Sequence, residues 1–123
     1  MYEVKVIDEF SASHSLRNYG GKCERIHGHN WKVEVIYDGN KLDNTGLVID
    51  FKVLKEKLNR VLDQLDHIDL NSLDYFKKFN PSSENIAYYI YMNLSKDPEL
   101  MDKARLRRVN VWENDKSCAS YYE

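Results

Sequence analysis

The chain has 123 residues, 42% of them apolar, enough for one compact domain spanning residues 1–123 and too few for a second. Lys and Arg number 18 against 20 Asp and Glu, so a net charge of -2 offers no basic surface for a nucleic acid. No stretch reaches the roughly 18–20 apolar residues of a membrane span, and Met1-Tyr2-Glu3-Val4-Lys5 lacks the apolar run of a signal peptide. A cytoplasmic protein is expected, with Cys23 and Cys118 as free thiols.

From Tyr2 to Phe10, Tyr2, Val4 and Val6 alternate with Glu3 and Lys5, the period-2 pattern of a half-buried strand, and Ser11 to His14 extends it. Asn18-Tyr19-Gly20-Gly21-Lys22 reads as a loop, and Trp31, Val33, Val35 and Tyr37 form a second strand that Asp38-Gly39-Asn40 ends. Asp50 is a helix cap before Phe51, Leu54, Leu58, Val61, Leu62 and Leu65, whose spacing paints one apolar face. Pro81-Ser82-Ser83-Glu84 caps a second helix carrying Ile86, Ala87, Ile90 and Leu94, expected to stop near Lys96-Asp97-Pro98. Leu106 to Trp112 alternates imperfectly as a third strand, and Asn114-Asp115-Lys116 turns into a fourth at Ser117 to Tyr122. This order predicts an α+β fold, a four-stranded antiparallel sheet with both helices on one face. Tyrosines and a subunit partner are expected to cover the other.

His27-Gly28-His29 sets two imidazoles on the same face of an extended backbone. If the first two strands pair antiparallel, His14 comes alongside them. Three protein ligands with an open position is the arrangement of catalytic zinc, whereas structural zinc favours four closed, cysteine-rich ligands; iron or another divalent ion also suits imidazole. Any one of these histidines alone would be ordinary, and it is the set that carries the reading.

Cys23, four residues before His27 among charged neighbours, suits a fourth ligand or a base, since a nearby cation raises the thiolate fraction. Asp66-His67 follows the first helix, where a carboxylate can fix an imidazole tautomer. A helix-terminal histidine is the plainer account. Glu113 taken alone is a solvated strand-end carboxylate.

These residues resemble the 6-pyruvoyltetrahydropterin and 6-carboxytetrahydropterin synthases over nearly the whole chain. The resemblance rests on Phe10-Ser11-Ala12-Ser13-His14, Cys23-Glu24-Arg25-Ile26-His27-Gly28-His29-Asn30 and Gly46-Leu47-Val48-Ile49-Asp50-Phe51. Further along it rests on Leu65-Asp66-His67 with Leu70-Asn71, Pro81-Ser82-Ser83-Glu84-Asn85, and Glu113.

The resemblance implies a tunnelling fold, in which sheets of neighbouring subunits join into a barrel, as a trimer or a dimer of trimers with active sites at subunit interfaces. It implies Zn2+ on His14, His27 and His29, Cys23 as proton acceptor, Asp66 and His67 as a second acid-base unit, and Glu113 anchoring the pterin and joining the charge relay. Ser82 and Ser83 stand near the pterin by the same likeness. The implied substrate is 7,8-dihydroneopterin triphosphate, whose side-chain hydroxyls the metal would acidify. Lys22 and Arg25 are candidates for its triphosphate. Three residues separate Cys23 from His27, a spacing similar to that of the bacterial enzymes that release acetaldehyde and triphosphate on the route to 7-deazaguanine and queuosine. Glu24, however, resembles the glutamate of folate-branch relatives that make 6-hydroxymethyl-dihydropterin, so a dual activity is a second expectation. A non-catalytic zinc- or pterin-binding module is a third, although such a module would be free to lose part of the set Cys23, Asp66, His67 and Glu113.

Overall fold

A computed structural model describes residues 1–123, apart from the side chain of Cys23. Strand β1 (Tyr2–His14) and strand β2 (His27–Gly39) pair antiparallel along their full lengths, from Tyr2 opposite Gly39 to His14 opposite His27. This register puts Val6 beside Val35 and Phe10 beside Trp31, so the even residues of one strand and the odd residues of the other share a single apolar face. Helix α1 (Phe51–Leu62) starts at Asp50, whose carboxylate accepts the Lys52 N–H at 2.8 Å. It buries Leu54, Leu58, Val61 and Leu62 against β1. Phe51, expected on that face, lies in the first turn and is 54% exposed.

Between α1 and the next long helix the chain forms β3 (Ile68–Asp69), a 3-10 turn at Leu70–Ser72 and the short helix α2 (Asp74–Lys78). Helix α3 (Ser83–Leu94) lies over β4 (Arg105–Asn114) and β5 (Ser117–Tyr121). Pro98 does more than end α3, because it opens a further helix, α4 (Pro98–Lys103), which Asp97 caps through the Leu100 N–H. The sheet is therefore five-stranded in the order β3-β1-β2-β4-β5, and the chain has four helices rather than two. It is α+β and mostly antiparallel; the exception is β3, which runs parallel to β1 at Ala12 and Ser13. Two residues are too few for any periodic pattern, which is why β3 escapes sequence reading.

The imperfect alternation of β4 has a cause in the ladder. A bulge at Ile36/Tyr37 brings Leu106 opposite Tyr37 and leaves Arg107 as an extra residue, so Leu106 still faces the core with Val109 and Val111. The core between sheet and helices holds Phe10, Trp31, Val33, Val35, Leu58, Ile86 and Ile90, each contributing about 1.5–3 kcal/mol on burial.

The expectation about the tyrosines is corrected. Tyr75, Tyr89, Tyr91 and Tyr121 pack on the helical side, with Tyr88 and Tyr91 set edge-on to Tyr121. The opposite face instead carries a polar set, in which Glu34 accepts the Trp112 indole N–H at 2.7 Å with Lys5 at 3.6 Å and Lys32 at 3.8 Å. The sheet does not close on itself within one chain: β3 and β5 end it. Among the described residues no helix is long and apolar enough to cross a membrane.

Candidate active site

The end of the sheet where β1 finishes and β2 begins gathers four donor groups. His14 and His27 face each other across the ladder, and His29 and Glu113 complete a group whose ligand atoms lie within 4.8 Å of one another. The floor beneath is Trp31, fully buried, with its ring edge-on to His14 at 4.9 Å and to His29 at 5.1 Å. Glu113 follows Val109 and Val111 on the core-facing side of β4; a second bulge, at Trp112/Asn114, leaves it without a partner on β5, and its carboxylate comes 2.9 Å from His29 Nε2.

The ring nitrogens tell what fits between them. His14 Nδ1 lies 2.7 Å from the Pro81 carbonyl, and His27 Nδ1 lies 2.7 Å from the Arg25 carbonyl. A carbonyl only accepts, so both Nδ1 atoms carry the hydrogen and both Nε2 atoms of the neutral rings present bare lone pairs. Those two Nε2 atoms stand 3.0 Å apart. Two lone pairs at that distance repel unless a proton or a metal ion lies between them. Burial works against the proton, because it pushes the His14 imidazole below its ordinary value, helped by His27 and opposed by the Pro81 hydrogen bond. His29 is lowered as well, by burial first, against the pull of Glu113. Its Nε2 is buried and, although close to Glu113, lacks an aligned hydrogen-bond partner. Three imidazoles and a carboxylate with their ligand atoms within 4.8 Å of one another, one ring nitrogen buried without an aligned partner, fit a divalent cation, around which tetrahedral donors at about 2.0–2.1 Å would stand about 3.3 Å apart. His14, His27, His29 and Glu113 can hold a metal ion, so Glu113, expected at the pterin and in a charge relay, also stands within reach of the histidines' ligand atoms.

Asp66 and His67 form a separate unit at the outer edge of β1. The Asp66 carboxylate takes the Ser11 N–H at 2.8 Å with one oxygen and meets His67 Nδ1 at 2.8 Å with the other. The Ser11 hydrogen bond, then His67, hold the Asp66 carboxyl below its usual value. His67 sits at φ 58, a left-handed conformation uncommon for a residue with a Cβ, and its N–H donates to the Ser11 carbonyl. Its side chain is 81% exposed. A shallow hollow of about 490 Å³ is bordered by both His29 and His67.

Of the other expected site residues, Cys23 has its side chain outside the described residues; its backbone belongs to a 3-10 turn, Lys22–Glu24. Glu24 is exposed and accepts the Gly20 N–H at 2.9 Å, which ties it into its own loop. Lys22 and Arg25 are exposed on the same segment. Ser82 spends its hydroxyl on capping α3 through the Asn85 N–H, whereas Ser83 Oγ points to Glu113 at 3.5 Å. The carbonyls of Pro81 and Arg25, which orient two imidazoles, carry no side-chain signal and could not be found from the sequence.

The profile of the 6-pyruvoyl tetrahydropterin synthase family matches residues 3–123. The chain therefore belongs to that family, one of enzymes that convert pterins. A 6-carboxy-5,6,7,8-tetrahydropterin synthase from Synechocystis is 36% identical over 118 residues, covering 92% of this chain and 87% of the relative. A dihydroneopterin monophosphate aldolase from Pyrococcus furiosus is 33% identical over 106 residues, with 86% and 84% covered. The solved structure of Caenorhabditis elegans 6-pyruvoyl tetrahydropterin synthase superposes with a TM-score of 0.85 at 30% identity, over 99% of this chain and 95% of that one. The tunnelling fold expected from the motifs is the fold of these neighbours.

Proposed function

We propose that the chain is a zinc-dependent lyase, a 6-carboxy-5,6,7,8-tetrahydropterin synthase. It converts 7,8-dihydroneopterin triphosphate to 6-carboxytetrahydropterin, acetaldehyde and triphosphate, and supplies 7-deazaguanine and queuosine synthesis in the cytoplasm. The observation that carries the metal reading is the pair of Nε2 atoms of His14 and His27, 3.0 Å apart, with each ring's Nδ1 hydrogen-bonded to a backbone carbonyl on its far side. Zinc is favoured over other divalent ions because three imidazoles with an open position match its catalytic sites. Bound there, it supplies a Lewis acid that lowers the pKa of hydroxyl groups it meets.

The protein's own groups divide the remaining work. Cys23 accepts the proton from the substrate side chain. His67 exchanges protons on the other side, its tautomer set by Asp66, which takes Nδ1–H and leaves Nε2 for the substrate. Glu113, with Ser83 beside it, accepts the N–H donors of the pterin edge.

The strongly exposed His67 and the open edges of the sheet support an active site finished by a neighbouring copy, in a homotrimer or a dimer of trimers. The branch choice is supported by the Synechocystis relative and by the Glu24 carboxylate being engaged with Gly20 rather than with the histidines.

Incubating the zinc-loaded protein with 7,8-dihydroneopterin triphosphate and weighing the pterin product tests this directly. The expected products are 6-carboxytetrahydropterin and acetaldehyde. A hydroxymethyl product alone would move the chain to the folate branch, a pyruvoyl product to the pyruvoyl synthases, and no turnover would leave a binding module.

A further inference from the structure

The edge of β1 that faces away from β2 is closed in an unusual way. In a strand, alternate residues turn both N–H and C=O to the same side; on this edge of β1 those residues are Ser11 and Ser13, and beyond its end Ser15 and Arg17 offer both groups in the same alternation. Ser11 is met by the Asp66 carboxylate and the His67 N–H, and Ser13 by β3. Beyond β3 no further strand is present on that side among the described residues, yet the pairing continues. Asn71 Oδ1 accepts the Ser15 N–H at 2.8 Å while its Nδ2 donates to the Ser15 carbonyl at 3.0 Å. Asn80 does the same for Arg17, at 3.0 Å and 2.9 Å. A carboxamide carries the donor and acceptor of a peptide unit, so each asparagine stands in for one residue of an absent neighbouring strand.

We propose that Asn71 and Asn80 are positioning residues for the metal centre, fastening the segment that follows His14 and fixing the carbonyl that orients its ring. The inference rests on the reading of the three histidines as metal ligands. Ser15 directly follows His14, so a backbone that bends after β1 moves this imidazole relative to His27 on the neighbouring strand. Asn80 acts at a second point, because the next residue, Pro81, provides the carbonyl that takes His14 Nδ1–H. The Asn80 carbonyl in turn accepts from Asn85 Nδ2 at 2.8 Å, which joins the same loop to the start of α3, where Ser83 faces Glu113. Arg17 adds a bond from its guanidinium to the Phe76 carbonyl at 2.7 Å. Aspartate at either position would keep the bond to N–H but set an oxygen against the backbone carbonyl. Alanine would remove both bonds.

The test uses the full chain and two metal readouts. Asn71→Ala, Asn80→Ala, Asn71→Asp and Asn80→Asp are compared with Asn93→Ala, which removes an equally ordinary side-chain bond, to the Tyr89 carbonyl within α3. Zinc affinity is measured by competition with a chromophoric chelator, and the coordination geometry is read from the visible absorption of the cobalt(II) form. Zinc affinity is expected to fall about 10–100-fold in the Asn71 and Asn80 variants, the usual cost of losing an outer support of a ligand. Their cobalt spectra are expected to change, while Asn93→Ala matches the wild type in both measurements. The aspartates, being isosteric, serve where an alanine variant fails to fold. Wild-type zinc binding with unchanged affinity and spectra in the folded Asn71 and Asn80 variants would overturn this inference alone. A wild-type chain that takes up no divalent metal would overturn the metal reading and this inference with it.

Discussion

His14 is 2% exposed and engaged at both ring nitrogens, whereas the His67 side chain is 81% exposed and meets the carboxylate of its own neighbour, Asp66. The first group sits at the end of a long antiparallel pairing, over a buried tryptophan, and its geometry is secured by folding. The second hangs on a two-residue strand at the edge of the sheet, in a strained backbone conformation that the Ser11 contacts hold. The two groups are thus held by different parts of the sheet, one buried at the end of the β1–β2 ladder and the other turned outward at the sheet's edge.

Three measurements sharpen or break this contrast. The largest effect is expected on turnover: His67→Ala should lower it by about 10²–10⁴-fold, the typical worth of a positioned acid-base group, while metal content stays at the wild-type level. Cys23→Ala should behave in the same way. Metal loss in His67→Ala, measured by elemental analysis, would show that the two units are not separable.

His29→Ala should do the reverse. Its zinc affinity is expected to fall further than the roughly 10–100-fold seen when outer supports are removed, since a ligand atom itself is gone. The orphaned Nε2 makes this position diagnostic, because a histidine serving only to pack would leave chelator competition unchanged.

The smallest effect concerns acid stability. The carboxyl of Asp66 is held below its ordinary value by the Ser11 N–H first and His67 second, so between the folded and unfolded pKa values the unfolded chain binds the extra proton. Asp66 therefore contributes stability above the ordinary carboxylate pKa of about 3.9, and that contribution is lost as pH falls through the lower folded value. Denaturation midpoints of wild type and Asp66→Asn should differ near neutral pH and converge in strong acid. A constant gap across that range would remove the charge-assisted anchor from the account.

Much of the metal centre could be read without coordinates. Alternation around Val4 and Val6, continued to His14, and the one-residue spacing of His27 and His29 put all three rings on the face that packs inward, because side chains in a strand alternate with period two. The long helices were legible for a similar reason: their apolar residues repeat and their caps are Asp50 and Ser82. What depended on tertiary structure was short or irregular. β3 and α2 are too brief to show a period. Glu113 shares the face of Val109 and Val111, but its meeting with His29 depends on how β4 registers against β2 rather than on the residues of either. Asn71 and Asn80, and the carbonyls of Pro81 and Arg25, work through contacts between segments far apart in the chain or through backbone atoms that every residue shares. The sequence determined which side chains could hold a metal, because ligand chemistry and local periodicity are written residue by residue. Only the folded chain decided how those rings are aimed, because aim is set by hydrogen bonds between distant segments, which no local pattern records.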